Sequence, residues 1–147
     1  MSGNNHEIEF QKIFSYIQKG NTFLITTHEA PDGDAIGSSL GLYWALREIG
    51  KDPYLFCKDE IPAHFLFLSG ARNFRTETPK QQVDAIFGLD YGSLKRLGID
   101  EYRASFPSIP FITIDHHLRR DQQGEVQVPD DRVGMQLVTQ ASSRTRV

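Results

Sequence analysis

The chain has 147 residues, a hydrophobic share of 39%, a charged share of 24% and a formal net charge of −3. That size suits one domain with a real core, and the negative balance argues against a face devoted to nucleic acid while leaving room for a local basic patch. A single cysteine, Cys57, excludes an internal disulfide and any thiolate cluster, and no apolar run approaches the roughly 20 residues of a membrane-spanning helix.

Taken in order, the opening residues Met1 to Glu7 lack the basic-then-apolar pattern of a signal peptide, so a cytoplasmic protein with no membrane attachment is expected. Over residues 7–19, Ile8, Phe10, Ile13, Phe14 and Ile17 fall mostly on one helical face, and Gly20-Asn21 stops the run. Thr22 to Thr27 is short, apolar and rich in β-formers, as a buried strand is. A tight loop, His28 to Asp34, leads into a second helical pattern carried by Ile36, Leu40, Tyr43, Trp44, Leu46 and Ile49, which Gly50 ends. Asp52 to Cys57 predicts a further strand, with Cys57 as a buried small hydrophobe. Pro62 to Leu68 predicts a short helix, with Trp44, Phe65 and Phe67 assigned to the core. Val83 to Asp90 and Phe111 to Asp115 read as two more buried strands that each end on an acid, and Ser93 to Leu97 as a short helix stopped by Gly98. Val126 and Val128 suit an edge strand. Strands alternating with helices predict an α/β fold, a mostly parallel sheet flanked by helices.

Three of these strands hand directly to ligand-type residues. His28, Asp32 and Asp34 follow the first at His-x3-Asp-x-Asp spacing, Asp90 closes another, and Asp115, His116 and His117 close a third. In open parallel sheets, sites lie outside the carboxyl ends of strands, so these residues are expected along one rim. Taken alone, the first loop is equally readable as turn chemistry with Asp34 capping the helix. Imidazoles and carboxylates without thiolates suit Mn²⁺ or Mg²⁺, with Fe²⁺ and Zn²⁺ also compatible. Shared carboxylates suit two ions roughly 3.5–4 Å apart, and hydrolysis of a phosphoester by activated water is the expected chemistry.

At these residues the sequence resembles the DHH phosphoesterase family, whose third motif is the Asp115-His116-His117 triplet. The loop from His28 to Ser38 resembles the first motif and Leu89-Asp90 the second, with the wording closest to the nano-RNase and 3′-phosphoadenosine-5′-phosphate phosphatase branch. The resemblance implies that His28 and Asp32 bind one metal, Asp34 the other, and that Asp90 bridges both. It further implies that His116 ligates the second ion, His117 faces the substrate phosphate, and Asp115 orients the neighbouring histidines. It also implies two Mn²⁺ ions, with Mg²⁺ as the alternative, and short RNA or DNA oligonucleotides or 3′-phosphoadenosine 5′-phosphate as partners. A homo-oligomer is compatible with it.

The family pattern continues beyond His117 to a further aspartate and a separate C-terminal substrate domain with a Gly-rich, His-containing motif. This sequence carries neither, so residues 1–120 are expected to form an incomplete DHH domain, and residues 121–147 a poorly structured or truncated tail. The competing expectation is a metal-binding domain, catalytically incomplete without the missing half or a partner. A third, phosphate contacts by Arg119, Arg120, Arg132, Arg144 and Arg146, suffers from the negative net charge and a tail without interleaved aromatics.

Overall fold

In the computed structural model, which describes residues 2–115 and 126–129, five strands form one sheet. These are Thr22–Thr26 (β1), Asp52–Phe56 (β2), Ala85–Leu89 (β3), Phe111–Asp115 (β4) and Val126–Pro129 (β5). Their order is β2-β1-β3-β4-β5, and every neighbouring pair is parallel. Three α-helices accompany them: Ser2–Lys19 (α1), Gly33–Glu48 (α2) and Asp100–Ser105 (α3). The predicted α/β architecture is therefore the observed one, with the edge strand at Val126 and Val128 included. No helix among the described residues is long and apolar enough to cross a membrane.

Alternation along the strands divides the core into two layers. Phe23, Ile25, Phe87 and Ile112 point to one face, where Ile13 and Ile17 of α1 and Ile36, Leu42 and Leu46 of α2 cover them. Leu24, Ile86 and Phe111 point to the other, against Leu94, Leu97, Ile99 and Tyr102. Because both faces are buried, the strands read in sequence as continuous apolar runs rather than as alternating ones.

Several local expectations are corrected. The segment after Pro62 forms only a 3-10 turn, Ala63–Phe65, because its amides bond three residues back: Phe65 N–H to the Pro62 carbonyl and Leu66 N–H to that of Ala63. Phe67 stands 81% exposed rather than in the core, and Trp44 is 42% exposed with its indole N–H donating to the Ser69 carbonyl. Leu94–Leu97 is likewise a 3-10 turn, ended by Gly98 at φ 67, a left-handed conformation that glycine adopts without penalty. The helix α3 had no counterpart among the expected elements.

At the amino ends of the central strands, Asp84 fixes the start of β1. Its carboxylate accepts from the Asn21 N–H at 2.6 Å, the Thr22 N–H at 2.9 Å and the Thr22 hydroxyl at 3.3 Å. Partial burial pushes its pKa up, but these bonds and the Lys51 charge outweigh that and leave it below the ordinary carboxylate value. A depressed carboxyl pKa contributes stability above the unfolded value, lost as pH falls through the folded one. Asp84→Asn should therefore melt below wild type at pH 7, with the gap closing as both are taken below about pH 4. Parallel melting curves at all pH values would show that the charge is immaterial.

Candidate metal centre

Strand order places a switch in direction beside β1. From β1 the chain crosses through α2 to β2 on one side, and then returns to β3 on the other. In such sheets the crevice between the diverging connections, beyond the carboxyl ends of the strands, is the natural binding site. Thr27-His28 emerge on one lip of that crevice and Asp90 on the other. The lips are tied together where Thr27 Oγ1 donates to the Leu89 carbonyl at 2.7 Å, and Asp90 N–H is anchored on its other side to the Ile114 carbonyl of β4.

The structure brings His28, Asp32 and Asp90 together, with one ligand atom from each inside a mutual spacing of 4.8 Å. His28 Nε2 lies 3.6 Å from Asp32 Oδ1. His28 is 4% exposed and Asp90 5%, whereas the Asp32 side chain is 66% exposed. Two of the three groups are thus buried, one of them a carboxylate, which is costly to bury unless it is paired or holds a metal. Ligand bonds to a hard divalent ion of about 2.1 Å set adjacent ligand atoms about 3 Å apart. The 3.6 Å separation is close to that, and the exposed Asp32 can close the remainder. An imidazole with two carboxylates is a donor set suited to a divalent cation.

Local geometry prepares each of these groups. His28 Nδ1 lies 2.6 Å from the Glu29 carbonyl, an acceptor, so Nδ1 carries the proton and Nε2 offers its lone pair toward Asp32. The His28 carbonyl accepts from Cys57 Sγ at 3.4 Å, and burial pushes that thiol's pKa up, keeping it a protonated donor. Asp32 is the N-cap of α2, in extended conformation, with Oδ1 accepting from Ala35 N–H at 2.9 Å. The same Oδ1 lies 3.6 Å from His28 Nε2, and a carboxylate oxygen has two lone pairs, one for the cap and one for an ion. Asp34, the alternative cap, lies instead in the exposed first turn of α2, outside the clustered trio.

Ala30 and Asp90 both hold φ at 49, a region that residues with a Cβ avoid. A following proline favours extended backbone, yet Ala30, before Pro31, is left-handed, with its N–H held by Asp59 Oδ2 at 2.8 Å. Such conformations cost on the order of 1–3 kcal/mol each and concentrate at functional sites. Asp115 is the last residue of β4, in register with Pro129. His116 and His117 lie outside the described residues. An open hollow of about 860 Å³ along β2, between Tyr54, Ile61, Leu66 and Phe74, includes none of the expected ligands.

Sequence reading missed Arg96 altogether. Its Nη2 lies 3.2 Å from His28 Nδ1 and donates to the Glu29 carbonyl at 3.3 Å, while its own carbonyl accepts from Glu29 N–H at 2.8 Å. Nothing in the motif spacing points to it, because it approaches from the turn after β3.

Residues 22–143 match the model of the DHH family, N-terminal domain. The bifunctional oligoribonuclease and PAP phosphatase NrnA of Thermus thermophilus is 38% identical over 108 residues, which are 72% of this chain and 31% of that protein. An exopolyphosphatase-related protein from Bacteroides fragilis, known from its crystal structure, superposes with a TM-score of 0.78 at 25% identity. That superposition covers 92% of this chain and 43% of the other. The chain thus spans under a third of the length of the curated relative.

Proposed function

Because this chain belongs to the DHH family, we propose that it is a metal-dependent phosphoesterase acting on short RNA or DNA oligonucleotides or on 3′-phosphoadenosine 5′-phosphate. The observation that carries this reading is a buried imidazole and a buried carboxylate meeting Asp32 at the sheet's switch point. In it, His28, Asp32 and Asp90 hold one divalent ion, and Asp34 and His116 serve a second that shares Asp90. Mn²⁺ is favoured over Mg²⁺, since a nitrogen ligand suits the softer ion. When bound, such a pair supplies an activated water and a clamp on the phosphate oxygens.

The chain's own groups set the stage. The Glu29 carbonyl holds His28 in the ligating tautomer. Asp32 joins the loop to α2, whose amino end adds favourable potential for an anion. The roles that the family resemblance implies for His117, at the substrate phosphate, and for Asp115, as orienter of the histidines, complete this reading.

Incubation of the dinucleotide pApA with the chain and Mn²⁺ should release mononucleotide, and EDTA should stop it. His28→Ala should weaken Mn²⁺ binding in calorimetry and slow hydrolysis together. Mn²⁺ binding without any turnover would favour the metal-binding-only reading. Failure to bind Mn²⁺ would sink both.

A further inference from the structure

We propose that Arg96 anchors the substrate's phosphate, an inference that rests on the reading of His28, Asp32 and Asp90 as a metal centre. Arg96 sits on the Leu94–Leu97 turn, which follows Asp90 on the β3 lip of the crevice. Leu94 and Leu97 are buried on either side of it, Gly98 ends the turn, and Thr26 Oγ1 donates to the Leu97 carbonyl at 3.5 Å. The Arg96 carbonyl is bonded to Glu29 N–H, so the turn is stapled directly to the His28 loop. Its guanidinium is therefore presented from a fixed base, half-buried beside His28 and the Glu29 carbonyl.

The direction of the side chain matters most. Nη2 reaches the Nδ1 edge of His28, one imidazole's width from the Nε2 edge that faces Asp32. It makes one donation, to the Glu29 carbonyl, and the other guanidinium donors have no acceptor among the described residues. Nor does any carboxylate among those residues pair with it. The nearby Glu29 carboxylate approaches Lys58 instead, at 3.9 Å. Nδ1, bound to the Glu29 carbonyl through its proton, is not free to accept from Arg96. A half-buried cation with spare donors beside a cluster of metal-ligand type calls for an anion brought by the ligand. The planar fork of a guanidinium matches phosphate oxygens two at a time, which lysine cannot reproduce.

The purely structural alternative is that Arg96 only steadies the Glu29 peptide. The two roles separate in calorimetry on the full chain loaded with Mn²⁺, with inorganic phosphate as the probe. Arg96→Gln should bind phosphate at least about 10-fold more weakly, with Arg96→Lys intermediate, as loss and partial retention of a charge-assisted pair require. Mn²⁺ affinity should stay within about 2-fold in both, and KM for pApA should rise more than kcat falls. Unchanged phosphate affinity, a loss that merely tracks lost Mn²⁺ affinity, or no phosphate binding by the wild type each overturns the proposal. Phosphate binding that depends on Arg96 in a chain that cleaves no pApA would refute the hydrolytic reading and leave this one standing. Cleavage with KM and phosphate affinity untouched in Arg96→Gln would do the reverse.

Discussion

Replacing Asp90 by asparagine should weaken Mn²⁺ binding by on the order of 10²–10⁴-fold, the equivalent of the roughly 3–5 kcal/mol lost when one partner of a buried charge pair is removed. Asparagine is the informative substitute because it keeps the shape of the side chain and tolerates the left-handed backbone that position 90 requires. Alanine would add a strain of about 1–2 kcal/mol at φ 49 and confuse folding with ligation. Asp90→Asn should therefore melt near the wild type without metal, yet gain far less melting temperature on Mn²⁺ addition. Hydrolysis of pApA should fall at least as far as metal affinity. An Asp90→Asn protein that binds Mn²⁺ normally would remove Asp90 from the ligand set.

Gly88→Val should cost about 3 kcal/mol or more, although valine is the better strand former. Glycine is needed at that position for space alone. A Cβ on Gly88 would stand 2.8 Å from Phe111 Cε1, 3.0 Å from its Cζ and 3.0 Å from Tyr91 Cε1. Neither ring can retreat easily. Phe111 lies under the Arg103 guanidinium at 4.5 Å and beside Tyr91 at 6.3 Å between centroids, and the Tyr91 hydroxyl is bonded to Thr113 at 3.0 Å. Denaturant midpoints should register the loss, with the melting temperature lower by roughly 10 °C for a domain of this size. Gly88 precedes Asp90 by one strand residue, so the variant should also lose Mn²⁺ affinity. A midpoint equal to wild type would mean that the Phe111 ring has room to move.

The central strands β1, β3 and β4 were legible because both their faces are buried, and runs such as Phe23-Leu24-Ile25 have no other plausible place. The candidate ligand loop was legible because Pro31, Gly33 and three ligand-type residues lie within one short stretch. Other features were set by contacts remote in sequence. Two candidate caps flank Gly33, and the choice of Asp32 over Asp34 depends on where the helix begins, which no periodicity fixes to one residue. That choice carries Asp34 away from the buried pair. The helix α3 buries only Tyr102, too little apolar pattern to announce a helix. Strand order, and with it the crevice between β1 and β3, depends on pairings that local sequence does not encode. Arg96 was invisible for the same reason. Phe67 went astray on the assumption that an aromatic in an apolar stretch is interior, whereas the 3-10 turn leaves it outside.

The all-parallel order has a kinetic consequence for how the protein is made. None of these strands can pair with a neighbour through a tight hairpin; each must wait for a crossover to be completed. β1, at the interior of the sheet, leaves the ribosome before both strands that flank it, and spends that interval as an unpaired apolar segment. Pairings of such long sequence separation fold slowly and leave sticky intermediates exposed. Since His28 and Asp90 become neighbours only when β1 and β3 join, an ion held by both, as proposed, would lock the product and not template the early steps. A nascent chain is therefore expected to need protection from aggregation until β3 has emerged.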